Sequence, residues 1–122
     1  MNTYQDWMAY LAKAKDPSKG RPLANGTRIK LWLTPTRSPH VHLDYHNTLL
    51  VEWTPELILF SNGGYMTQTT KNRLNKYLPY DYIIKQEQGR WFLTSHNESV
   101  HEKLMPNFTI AFTHDGQLEW ID

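Results

Sequence analysis

The sequence of 122 residues contains no cysteine. This absence excludes a disulfide framework, a thiolate nucleophile and any zinc site that uses cysteine ligands. A domain that manages without disulfides is typical of a reducing compartment. We therefore expect the protein to be cytoplasmic.

Long apolar runs are also missing. The longest are residues 49–51 and residues 57–60, whereas a membrane-spanning helix needs about 20 apolar residues. The N-terminal residues have neither the basic start nor the apolar stretch of a secretory signal. The sequence thus predicts a soluble protein with no membrane partner.

Aromatic residues, by contrast, are plentiful, with five Trp, seven Tyr and four Phe. They supply enough apolar volume for one core, and a chain of this length is normally one domain. We predict a single domain over residues 1–122, with an N-terminal helix at 1–15, a linker at 16–26, and a sheet with a central helix at 27–122. Most of the tryptophans are expected in the core.

Hydrophobic spacing predicts two helices. The first, over residues 3–14, has one apolar stripe and Thr3 as its cap. The second, over residues 67–78, is capped by Thr67 or Thr69.

Alternating apolar and polar residues, separated by turn residues, predict antiparallel strands in the rest of the chain. Residues 95–107 are predicted to be irregular. The expected fold is therefore α+β, with both helices packed on a mainly antiparallel sheet of about six to eight strands that could curl into a small barrel. The strands are predicted at 27–33, 40–46, 48–53, 57–61, 80–86, 90–94, 108–113 and 117–121.

The formal net charge of +1 conceals a segregation of charge along the chain. Residues 17–43 contain five basic and no acidic residues, and residues 57–80 contain three and none. Residues 81–122 contain seven acids against three bases. A nearly neutral protein of this kind can present a basic face to an anionic partner. The alternative is that these cations are ordinary solvated side chains.

The segment 61–75 runs from a predicted strand through Gly63 and Gly64 into the second helix. Glycine allows positive φ and a close approach to the main chain, and the first amides of a helix carry partial positive charge without an internal partner. Hydroxyl groups and cations follow within two turns. These features predict a phosphate or nucleic-acid site formed by Gly63, Gly64, Tyr65, Thr67, Thr69, Thr70, Lys71 and Arg73.

The glycine spacing of this segment is not that of a P-loop. The alternative to a phosphate site is an ordinary Asn-Gly-Gly turn, followed by a helix with threonine caps and solvated cations.

The same segment resembles a block in uncharacterised small proteins of tailed phages. Their pattern is Gly-Gly-Trp-x-Thr-x-Thr-Thr-Lys-x-Arg-x-Asn, and this chain follows it from Gly63 to Asn75, with Tyr65 in the place of Trp. A looser likeness extends over most of residues 21–118. The resemblance implies a phage-encoded protein that acts in the cytoplasm of the host cell, and it implies no particular activity.

Histidines form a second pattern. His40 and His42 share one face of a predicted strand, Asp44 lies between them and His46, and His46 would follow on the same side. Two imidazoles and a carboxylate could hold zinc or another divalent ion. The alternative is the exposed polar face of a half-buried strand, and the sequence assigns no metal or other cofactor.

The sequence contains no pair of acids at a spacing typical of acid–base catalysis and no Gly-x-Ser-x-Gly elbow. We therefore predict a protein that is not an enzyme. Two functions lead: binding of phosphate or nucleic acid through the basic, threonine-rich helix start, or inhibition or modulation of a host defence or transcription protein. A histidine-dependent metal site is the third hypothesis. The oligomeric state is left open by the sequence.

Overall fold

The computed structural model of the protein describes residues 3–33 and 35–122. Residues 1 and 2 of the predicted N-terminal helix segment, and residue 34 of the predicted sheet region, lie outside the described residues. The fold is α+β, as predicted. Its helices are α1 (Tyr4–Leu11) and α2 (Gln68–Tyr77), and its strands are β1 (Arg21–Pro22), β2 (Thr27–Trp32), β3 (His40–Tyr45), β4 (Thr48–Trp53), β5 (Leu57–Ser61), β6 (Tyr82–Glu87), β7 (Arg90–Ser95), β8 (His101–Lys103), β9 (Thr109–Thr113) and β10 (Leu118–Ile121).

The strands form two antiparallel sheets. One has seven strands in the order β1-β2-β3-β4-β5-β9-β10, and the other has three in the order β6-β7-β8. Strands β5 and β9 pair directly with each other, so the strands that lie between them in sequence cannot extend the large sheet there and instead build a second one. Over the described residues, neither sheet closes into the barrel that the sequence left open.

One hydrophobic core joins both sheets and both helices. Its members include Trp7 and Leu11 of α1, Leu74 of α2, Phe60 of β5 and Trp91 of β7. In α1 the buried residues Tyr4, Trp7 and Leu11 follow the helical spacing that predicted them. In α2 the buried residues are Leu74, as predicted, and Thr70, which the predicted apolar stripe did not include, whereas Tyr77 of that stripe is half-buried. No described helix has the length and apolar character required to span a membrane.

The tryptophans divide between core and surface. Trp7, Trp53 and Trp91 are buried, as expected for most of them, whereas Trp32 is 50% exposed and Trp120 is 44% exposed. Trp32 is the last residue of β2, and Trp120 lies on β10, which is an edge strand of the large sheet with no buried residue.

Both helices begin after a predicted capping residue, Thr3 for α1 and Thr67 for α2. The Thr3 hydroxyl accepts a hydrogen bond from the Asp6 amide at 3.1 Å, and the Thr67 hydroxyl accepts one from the Thr70 amide at 3.2 Å. Helix α1 ends at Leu11, the last residue of its apolar stripe, and not at residue 14.

Two segments are more ordered than the sequence predicted. The linker 16–26 contains β1 and a short 3-10 helix over Ala24–Gly26. Residues 95–107, predicted as irregular, contain β8. Strand β8 has no apolar alternation, and its pairing with β7 includes a stack of the His101 and Phe92 rings at 4.4 Å between centroids.

Candidate functional site

A buried asparagine organises the turn that leads into α2. Asn62 is fully buried, and its Oδ1 accepts hydrogen bonds from the amides of Gly64 and Phe108, both at 3.2 Å. Its Nδ2 donates to the carbonyl oxygen of Pro106 at 2.7 Å. The turn therefore has one fixed shape, and it leaves the following Tyr65 ring 56% exposed.

Both glycines of the turn adopt the left-handed backbone that the sequence predicted, with φ of 59° at Gly63 and 85° at Gly64. A Cβ atom on Gly63 would lie 2.4 Å from Thr48 Cγ2. The group that approaches Gly63 closely is thus the Thr48 side chain of the protein itself. At Gly64 the space around a Cβ atom is open, so this position faces solvent.

The threonines at the start of α2 have different roles. The Thr67 hydroxyl caps the helix and donates to the Thr70 hydroxyl at 3.1 Å, and Thr70 is only 3% exposed. The first intrahelical bond joins the Lys71 amide to the Thr67 carbonyl at 3.1 Å. The amides of Gln68 and Thr69 precede that bond and point outward from the helix end. Thr69 adds a half-buried hydroxyl beside them.

A cleft of about 370 Å³ opens at this helix start. Four of the predicted site residues contribute to it, together with the turn between β3 and β4 and the first part of β4. Its lining consists of Tyr45, His46, Thr48, Leu50, Tyr65, Thr67, Thr69 and Thr70. The cleft therefore combines aromatic walls and an apolar floor with hydroxyl groups and a helix N-terminus.

The two predicted cations point in different directions. The Arg73 guanidinium lies over the Tyr45 ring, with Cζ 5.4 Å from the ring centroid, and so adjoins a wall of the cleft. The Lys71 ammonium donates to Gln86 on β6 at 3.3 Å. Residues four apart share a helix face, so Arg73 follows Thr69, whereas Lys71 lies on the other side.

A basic groove adjoins the cleft at His46, whose side chain lines both. The groove has a volume of about 610 Å³, and its charged residues are Lys19, Arg28, Lys30 and Asp44. Part of the basic segment 17–43 thus lies next to the start of α2.

The sequence did not predict the contribution of Tyr45 and His46 to the cleft. His46 and Asn47 have φ of 46° and 68° and form a two-residue turn between β3 and β4. Predicted strands on both sides of His46-Asn47 are a signal for this turn. No local sequence signal predicts the contact of this turn with α2.

The histidine pattern is partly as expected. His40 Nδ1 and His42 Nε2 each lie 2.8 Å from Glu52 Oε2, so the carboxylate beside them comes from β4. Asp44, the carboxylate suggested by the sequence, lies 2.9 Å from Lys30 Nζ. His46 lies in the turn after β3, where alternation has ended, and is separate from this group.

The alternative to a metal site was an exposed polar face on β3, but the polar side chains of that face are largely buried. His42 is 9% exposed and Asp44 is 8% exposed. The Trp32 ring stacks on the His42 ring at 5.3 Å between centroids and an angle of 11°. The hydrogen bond from His42 lowers the pKa of Glu52, in opposition to the effect of its burial, and His40 contributes in the same direction as His42.

The fold defines the class as a small α+β protein with two antiparallel sheets. A family model described as Kyanoviridae Gp96 protein matches residues 8–116, and the chain belongs to that family. It is therefore a phage protein, as the resemblance implied, although the sequence pattern over residues 63–75 stays a prediction. No curated protein and no solved structure matches the chain.

Proposed function

We propose that this phage protein is a non-enzymatic accessory protein that binds single-stranded nucleic acid in the cleft at the start of α2. The observation that carries the proposal is the lining of the cleft, where threonine hydroxyls and the end of a helix adjoin the rings of Tyr45 and Tyr65. Nucleic acid offers the matching pair of groups, an anionic phosphate and a flat base.

A phosphate at the helix start accepts hydrogen bonds from the amides of Gln68 and Thr69 and from the Thr69 hydroxyl. The helix dipole favours the anion there. The guanidinium of Arg73, which lies over Tyr45, supplies a positive charge next to the same wall. Thr67 and Thr70 act on this site indirectly, because their hydroxyl groups bond to each other and hold the cap.

A base next to that phosphate stacks on Tyr65, whose ring is 56% exposed. The nucleic-acid backbone continues from the cleft past His46 into the adjoining basic groove, towards Lys19 and Arg28. Lys30 contributes less charge, since its ammonium lies 2.9 Å from Asp44.

Removal of the Tyr65 ring tests the proposal. We expect Tyr65→Ala to weaken binding of a labelled single-stranded 20-mer of DNA or RNA by roughly 5- to 150-fold, because stacking contributes about 1–3 kcal/mol per base. Fluorescence anisotropy at low salt measures this affinity. Repeating the titration at several salt concentrations gives the number of phosphates that the protein neutralises, and Lys19→Gln should reduce the slope by about one.

Tyr80→Ala is the matched control, because Tyr80 is 89% exposed and lies beyond the other end of α2. It should bind as the unchanged protein does. The proposal is contradicted if the protein binds neither DNA nor RNA at low salt. It is also contradicted if Tyr65→Ala and Tyr80→Ala bind equally well.

Binding to a host defence or transcription protein is the second candidate function. Exposed apolar side chains favour it, since Met66, which follows Tyr65 of the cleft, is 36% exposed and Met105 is 60% exposed. A pull-down from host lysate with and without nuclease separates the two functions. A protein partner that resists nuclease and high salt, and that Tyr65→Ala loses, would support this candidate.

A further inference from the structure

Three potential metal ligands meet on the outer face of the large sheet. His40 Nδ1, His42 Nε2 and Glu52 Oε2 all lie within 4.8 Å of one another. The pairing of β3 with β4 explains their meeting, because His42 is the cross-strand partner of Glu52 and His40 is two residues away on the same face.

Two imidazole nitrogens and one carboxylate oxygen are donors that zinc and its neighbours among the divalent transition metals accept. Each imidazole nitrogen already lies 2.8 Å from the same oxygen, Glu52 Oε2. Ligands on a tetrahedral zinc ion are about 3.3 Å apart, given bonds of about 2.0–2.1 Å, so small side-chain shifts admit an ion between them.

We propose that His40, His42 and Glu52 form a binding site for a divalent cation of the zinc class, with a further coordination position open to water. Water reaches the group, because the three side chains keep exposed fractions of 19%, 11% and 20%. Three protein ligands and an accessible fourth position are also the arrangement of zinc sites that bind an exchangeable ligand.

The surroundings of the group suit a cation. The Trp32 ring stacks on His42 and restricts the orientation of its imidazole. Lys30 is the cross-strand neighbour of His42 on β2, and its charge is compensated by Asp44 at 2.9 Å. A cation therefore meets the Glu52 carboxylate without an uncompensated positive charge beside it.

A hydrogen-bonded group that only stabilises the sheet is the rival interpretation, and the tautomers of the histidines distinguish the two. Without metal, His40 Nδ1 and His42 Nε2 carry the protons that they donate to Glu52. A metal takes the lone pair of each of these nitrogens, so in each neutral ring the proton passes through water to the other nitrogen. Ring ¹⁵N chemical shifts report this exchange directly.

The test uses full-length protein purified without a histidine tag and titrated with Zn²⁺ by calorimetry and with Co²⁺ by visible absorption. We expect one ion per chain, Co²⁺ bands typical of nitrogen and oxygen ligands, and the tautomer exchange of both rings on addition of Zn²⁺. His40→Gln and the isosteric Glu52→Gln should each weaken Zn²⁺ binding by at least about 10-fold, since even the loss of a residue that only supports a ligand costs about 10- to 100-fold.

His101→Gln is the matched control, because His101 also lies near an acid, with Nε2 3.8 Å from Glu87 Oε2, but among the described residues it belongs to no group of three potential ligands. It should bind Zn²⁺ as the unchanged protein does. Any of three results overturns the proposal: no saturable binding of Zn²⁺ or Co²⁺, unchanged binding in both His40→Gln and Glu52→Gln, or loss of binding in His101→Gln.

Discussion

Asn62→Leu is expected to lower the free energy of unfolding by about 3–4 kcal/mol, on the order of 10 °C in Tm. Leucine has nearly the same volume, so the change removes hydrogen bonds without opening a large cavity. The amide of Phe108 and the carbonyl of Pro106 lose the partners that Asn62 now provides at 3.2 and 2.7 Å. Each buried polar group left without a partner costs about 1–3 kcal/mol.

Urea denaturation followed by circular dichroism measures the loss. Asn97→Leu is the control, since Asn97 Oδ1 also accepts several hydrogen bonds, from Ser95 and Ser99, but the Asn97 side chain is itself exposed, so water can take its place as the acceptor. We expect Asn97→Leu to change stability by less than about 1 kcal/mol. Equal losses in the two variants would mean that burial of Asn62 does not determine its contribution.

Asn62 also connects stability to the proposed function. Its Oδ1 holds the Gly64 amide at 3.2 Å, and the next residue, Tyr65, is a wall of the cleft. A variant that folds at low temperature but has lost this contact should bind nucleic acid more weakly, because the Tyr65 ring is then no longer held in place for stacking.

Signals within a few residues predicted most of the elements. The cap at Thr67 and the proline at 79 bracket α2, which the structure gives as Gln68–Tyr77. The hairpin around Gln88 and Gly89, both with positive φ, followed from turn chemistry in the same way. Such features depend on the local chain alone, so the sequence contains them.

Features that depend on distant pairing were out of reach. Strand β8 is exposed at all three residues and has no alternation to reveal it. The division into two sheets follows from the pairing of β5 with β9, and no local pattern specifies which strands pair across so long a separation.

The candidate site shows the same division. The glycines and threonines of the block 63–75 are predicted ligands, and this stays a prediction; the contacts of Gly63 with Thr48 and of Thr67 with Thr70 are made within the protein. Glu52 reaches the histidines only through the register of β3 with β4. At the cleft and at the histidine group alike, local sequence features indicated candidate residues, whereas long-range pairing determined which residues meet.

Asn75→Leu should lower the free energy of unfolding by about 2–4 kcal/mol, because Asn75 satisfies an edge strand. Its Nδ2 donates to the Ile84 carbonyl at 3.0 Å, and its Oδ1 accepts from the Ile84 amide at 2.8 Å. Strand β6 is at the edge of its sheet, so the side-chain amide takes the place of a neighbouring strand. Leucine leaves both groups of Ile84, a residue that is 1% exposed, without that partner.

Hydrogen exchange locates the effect of Asn75→Leu, and urea denaturation gives its size. Exchange of the Ile84 amide should accelerate more than that of amides in β3 and β4, because the bond that is lost joins α2 to the small sheet. Asn72→Leu is the control on the same helix, since Asn72 bonds to Gln68 at the exposed surface, at 2.8 Å, and we expect a change within about 0.5 kcal/mol. If the two variants lose equal stability, or if the Ile84 amide stays as protected as before, the small sheet is attached to α2 by its apolar contacts and not by Asn75.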